Sequence, residues 1–173
     1  MATKTKEFIL SEFLKLLETQ EFDRITVTDL VEQCNISRQT FYYHFDDISK
    51  MIEWAFNIDT NDICSEINKN DDAENFVALY TVFMNKYDIL FKKSINTSQF
   101  IFIYNLLENL FFITTKKYFS TVYSSLQSNH EFLIRFWSNA ILGYAISEMQ
   151  KSNSDYESVF KTLCLYIPKT NKD

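Results

Sequence analysis

Apolar residues recur at helical spacing along most of the chain. Between Lys4 and Thr19, the residues Ile9, Leu10, Phe13, Leu14, Leu16 and Leu17 fall on one broad stripe, the pattern of an amphipathic helix facing a core. Between Glu131 and Lys151 the pairs Phe132/Leu133, Phe136/Trp137, Ala140/Ile141 and Tyr144/Ala145 return every fourth residue. From Asp155 to Ile167, a face is built from Tyr156, Val159, Phe160, Leu163 and Ile167. Two more helices are predicted over Asp72–Lys93 and Thr97–Ser124; the second is apolar nearly all round at its start and belongs at the centre of the molecule. Gln99–Tyr104 has strand-like composition, but no hairpin turn flanks it, so it is read as helix. Polar stretches at Asn68–Asp72, Lys93–Ser98, Ser124–Asn129 and Ser152–Asp155 are the expected connections.

Composition narrows the fold class. One Gly and one Pro in 173 residues leave too few turn-forming positions for a sandwich, a barrel or a Gly-rich phosphate loop. An all-α fold follows. The apolar run from Phe100 to Ile113 contains Asn105, Glu108 and Asn109 and falls short of the roughly 18 residues a membrane span needs. Cys34, Cys64 and Cys164 lack any CxxC spacing, and the start of the chain is polar, as expected of free thiols in a reducing cytoplasm. With only His44 and His130 besides those cysteines, neither a zinc site nor another metal or cofactor site can be assembled. No nucleophile–base–orienter set suggests an enzyme; the paired acids Asp46-Asp47 and Asp71-Asp72 sit where helix caps are expected.

The segment from Ile25 to Asp47 carries the chemistry. Thr26 followed three residues later by Asp29 is a capping-box spacing. Leu30, Val31 and Cys34 then form a short apolar face, and Asn35 stands where the chain must turn through the left-handed region. Ser37 is the next N-cap, with Ile36 and Phe41 spaced as a hydrophobic staple across it. Two short capped helices about three residues apart describe a helix-turn-helix. In the second, Phe41 and Phe45 can anchor the helix, while Arg38, Gln39, Thr40, Tyr42, Tyr43 and His44 all end in hydrogen-bonding groups. Arg pairs bidentately with guanine, Gln with adenine, and hydroxyls suit phosphate oxygens. A plain helical hairpin is the alternative reading of the same pattern.

Ile25-Thr-Val-Thr-Asp-Leu30 together with Asn35-Ile-Ser-Arg-Gln-Thr-Phe-Tyr-Tyr-His-Phe45 resembles the DNA-binding module of the TetR family of bacterial transcriptional regulators. The likeness runs from about Thr5 to Ala55. Tyr42-Tyr43-His44-Phe45 with Trp54 further resembles a branch that includes activators of dihydroxyacetone-kinase operons. The resemblance implies a three-helix DNA-binding head over residues 1–48 and a helical regulatory and dimerisation body over residues 49–173. It also implies a homodimer on a palindromic operator, controlled by a small-molecule effector or a partner protein. Carried over by position, base reading falls to Arg38, Gln39 and Thr28, and phosphate contact to Thr40, Tyr42 and His44. Ser37 and Tyr43 complete the DNA-facing set. The family often has a Lys just after the Asp47 cap, where this chain has Ile48; Lys50 is the candidate substitute.

Charge tempers this picture. The chain carries −6 overall, and Met1–Lys50 holds six Lys/Arg against nine Asp/Glu. Few cations mean modest non-specific DNA affinity, so a co-regulator working through protein contacts on the same scaffold is the alternative function. In the body, Tyr104, Asn105, Phe111 and Phe112 are the expected effector pocket, with plain core packing as the competing reading. Gly143 sits inside a predicted helix, where Gly costs about 1 kcal/mol relative to Ala, which suggests close backbone approach. Together with Phe136, Trp137, Ala140, Ile141, Tyr144, Val159, Phe160 and Leu163 it is in part the expected self-complementary dimer face, with packing inside the protomer as the competing reading.

Overall fold

A computed structural model describes residues 2–69, 73–122 and 130–166. Among these there is no strand. The helices are α1 (Ala2–Thr19), α2 (Val27–Gln33), α3 (Arg38–His44), α4 (Ile48–Lys69), α5 (Ala73–Lys86), α6 (Asp88–Ser94), α7 (Phe100–Val122), α8 (His130–Met149) and α9 (Tyr156–Cys164), with a 3-10 turn at Phe22–Arg24. The acids Asp71 and Asp72, the connection Ser124–Asn129 and Ile167 lie outside the described residues, as does the side chain of His130.

α7 forms the middle layer, packed between α4 and α8, while α5 pairs with α9. The strand-like segment is thus helical, and its apolar surround is explained by neighbours on two sides. The predicted single helix over Asp72–Lys93 is instead two. It breaks at Tyr87, whose backbone leaves the helical region (φ −112, ψ 12). That break turns the Tyr87 ring into a cluster with Phe56, Phe83 and Phe91 at centroid separations of 5.1–6.1 Å. α6 is thereby set against α1 and the 3-10 turn.

The buried apolar residues form one continuous cluster from Ile9 in α1 to Phe160 in α9, so the first three helices are rooted in the core of the rest. Lys93 bonds Glu21 at 2.8 Å and Ser98 bonds Asp23 at 3.1 Å, adding polar ties between the two parts. No helix among the described residues is long and apolar enough to cross a membrane.

Candidate nucleic-acid interface

The start of α2 is closed reciprocally: the Asp29 amide donates to Thr26 Oγ1 (3.2 Å), and the Thr26 amide donates to Asp29 Oδ2 (2.8 Å). The Thr26 hydroxyl, then the Thr26 amide, hold the Asp29 carboxyl below the usual carboxylate range. The end of α2 is equally defined. Asn35 adopts φ 51, the one positive φ among the described residues outside glycine. Its amide donates to Glu32 O, and that of Ile36 to Val31 O (3.1 and 3.0 Å), the paired bonds of a Schellman ending. Ser37 then caps α3, its Oγ accepting from the Thr40 amide at 3.0 Å.

These caps fix which way α3 faces. Phe41 is 0% and Phe45 5% exposed. Arg38 and Gln39 are exposed, Tyr42 is 54% and Tyr43 82% exposed. A seven-residue helix and its C-cap thus bury two phenylalanines, Phe41 within the helix and Phe45 just after it, and turn four hydrogen-bonding side chains to solvent. Large exposed aromatics on a helix need a reason, and hydroxylated ones beside an Arg and a Gln match the chemistry of a groove edge. Thr40 and His44 are half-buried. Thr40 Oγ1 lies 2.8 Å from Ser37 Oγ, and the His44 ring stands edge-on to Tyr43 at 5.0 Å. Thr28 is half-buried on the first turn of α2 and accepts a 2.5 Å hydrogen bond from Arg38 Nη2. At the start of α4, Asp47 Oδ1 accepts from the Lys50 amide (2.7 Å), while the exposed Lys50 ammonium pairs with Glu53 at 2.7 Å. All nine residues expected to face DNA are therefore gathered around α3 and the two flanking helix starts.

Several supporting residues were not legible locally. Lys6 on α1 places its ammonium 4.9 Å from the Phe45 ring and 5.3 Å from that of Trp54, tying α1 to the end of α3 and to α4. Buried Glu12 accepts from Lys15 and from Gln33 at the end of α2 (2.7 and 2.9 Å). Burial pushes the Cys34 thiol up to about 11, as for a small apolar core residue rather than a reactive one.

The expected sites in the body need correction. Tyr104, Asn105, Phe111 and Phe112 do not share a cavity. Phe111 is fully buried with its ring 5.0 Å from that of Tyr80, and Tyr104 meets Phe100. Asn105 and Phe112 line a cleft of about 230 Å³ between α7 and α8, shared with Glu108, Asn109, Arg135, Ser138 and Asn139 and without Tyr104 or Phe111. A larger groove of about 1030 Å³ runs between α5 and α9, past Val77, Val82 and Lys161.

The expected dimer face is also split. Trp137 and Ile141 on α8 and Phe160 on α9 are buried inside the protomer because those positions face neighbouring helices, and Val159, Leu163 and Ala140 are half-buried. Phe136 (54% exposed), Gly143 and Tyr144 lie on the outer face of α8. Phe132 joins them there, its ring stacked on that of Phe136. A Cβ at Gly143 would meet nothing within 4 Å, so no backbone of the same protomer approaches it.

Residues 9–53 match the family model described as bacterial regulatory proteins, tetR family. Among curated proteins, the HTH-type dhaKLM operon transcriptional activator DhaS of Lactococcus lactis subsp. lactis (strain IL1403) is 26% identical over 159 residues, covering 87% of this chain and 82% of that protein. A solved structure described as dihydroxyacetone kinase operon activator DhaS shares the fold. Its TM-score is 0.72 at 21% identity, over 92% of this chain and 91% of that one.

Proposed function

Because this chain belongs to the TetR family of DNA-binding transcriptional regulators, we propose that it acts in the cytoplasm as a homodimer whose two α3 helices enter successive major grooves of a palindromic operator, about 34–36 Å apart. One observation carries the reading: α3 and its C-cap bury Phe41 and Phe45 and turn Arg38, Gln39, Tyr42 and Tyr43 outward together. In this reading Arg38 and Gln39 meet base edges, while Ser37, Thr40, Tyr42, Tyr43, His44 and Lys50 serve the phosphate backbone.

The dimer is assigned to the outer face of α8, where Phe132, Phe136, Gly143 and Tyr144 leave an apolar stripe uncovered. Gly143, with open space where a Cβ would stand, suits close approach of a second copy. A small molecule or partner protein binding the body would act by preferring one separation of the two heads. The relative from Lactococcus lactis is an operon activator, which favours activation as the outcome.

Selection from a random DNA pool tests the reading. The expected result is a palindromic consensus, lost at one base position in Arg38→Ala at about 1–3 kcal/mol. Tyr42→Phe should weaken binding evenly across sequences. No enrichment by the intact protein would overturn the reading in favour of a co-regulator without its own DNA contacts.

A further inference from the structure

One side chain on the outward edge of α3 is held in place without DNA. Arg38 Nη2 donates to Thr28 Oγ1 at 2.5 Å, across the turn between α3 and the first turn of α2. Thr28 is a stiff acceptor: its β-branch restricts χ1, and it sits on a helix start locked by the Thr26–Asp29 exchange. The bond is charge-assisted on the Arg side. It engages one of the guanidinium's two Nη nitrogens, leaving the other donors of the fork unspent.

This matters for readout because a bidentate Arg–guanine pair requires the planar fork to arrive in one orientation. An unrestrained Arg loses rotamer freedom on binding, which lowers affinity roughly 2- to 10-fold. Ordering the side chain beforehand removes that cost from the binding step.

We propose that Thr28 is a positioning residue for sequence readout, which contacts no base itself but presets the Arg38 guanidinium so that its remaining donors meet a guanine edge. The inference rests on α3 being the base-reading helix, and it replaces the direct base contact that the family resemblance implies for Thr28.

The test is a double-mutant cycle on the full chain, measuring affinity for the selected operator and for the operator altered at the base pair that Arg38 discriminates. Thr28→Val keeps the shape and removes the acceptor; it should reduce discrimination at that base pair roughly 2- to 10-fold, with other positions unchanged. Thr28→Ser, which retains the hydroxyl, should restore most of it. In an Arg38→Ala background, Thr28→Val should have no further effect. An equal penalty with and without Arg38 would assign Thr28 a contact of its own, and an unchanged profile in Thr28→Val would show that the hydrogen bond orients nothing. Either overturns the inference while leaving the role of α3 intact. If the intact protein discriminates no sequence, the role of α3 falls, and this inference with it.

Discussion

The hydroxyl of Tyr87, at the break between α5 and α6, donates a 2.6 Å hydrogen bond to Asp59 Oδ2 on α4. Lys86 Nζ approaches the same carboxylate at 2.8 and 2.9 Å. Burial, with the Asp59 charge adding to it, pushes the Tyr87 phenol above its ordinary value, so it stays a donor. The joint links α4 to the break between α5 and α6. Asp59→Ala strands a buried hydroxyl and should cost about 1–3 kcal/mol in urea denaturation, whereas Tyr87→Phe leaves Asp59 paired with Lys86 and should cost about 0.5–1.5 kcal/mol. Equal costs would mean that the hydroxyl does not depend on Asp59.

Acid should loosen the contact between α1 and α2. The Glu12 carboxyl is held below its usual value of 4.5 by the hydrogen bond from Lys15, then that from Gln33, with burial opposing. A carboxyl lowered in the folded state adds stability that is complete above its unfolded value and is lost as pH falls through the folded one. Stability should therefore decline below about pH 4.5, and Glu12→Gln should flatten that part of the curve. Parallel melting-temperature profiles for the two proteins between pH 6 and pH 3 would refute it.

Lys50 is engaged by Glu53 in the DNA-free protein. Glu53→Gln should free it for a phosphate. Each added phosphate contact steepens the dependence of log affinity on log salt by about 0.9. A titration of operator binding between low and moderate salt should show that increase per head, together with tighter binding to unrelated DNA. An unchanged slope would take Lys50 out of the phosphate-facing set.

Neighbouring positions on α8 should fail differently. Trp137 is 7% exposed inside the protomer, and Trp137→Ala should cost about 3–5 kcal/mol of folding stability. Phe136 lies on the outer stripe, so Phe136→Glu should leave helical content intact and shift sedimentation toward the monomer. Loss of folding in Phe136→Glu, or an unchanged dimer, would remove that stripe as the dimer face.

Local chemistry made the head readable. The Thr26/Asp29 spacing, Asn35 and Ser37 act within a few residues of themselves, and all three produce the caps expected of them. Because those caps orient α3, the outward set of Arg38, Gln39, Tyr42 and Tyr43 was also legible. Helical periodicity likewise located α1, α7, α8 and α9, since an amphipathic stripe reports that one side will be covered.

What periodicity cannot report is by what a stripe is covered. It grouped Phe136 with Trp137, which the packing of α8 then separated into an outer and an inner face, and it could not tell that Val159 is half-buried where Phe160 is fully covered. It ran one helix through Tyr87, because no Gly or Pro marks the break; the ring cluster with Phe56, Phe83 and Phe91 and the bond to Asp59 stabilise it from elsewhere in the chain. The contacts of Lys6 with Trp54, Glu12 with Gln33 and Glu21 with Lys93 join residues 48, 21 and 72 apart. Capping and turning are settled by interactions along the backbone, so the amino-acid order alone determined the outward edge of α3. Burial and cross-helix pairing depend on which faces meet in space, and only the packed molecule decided those.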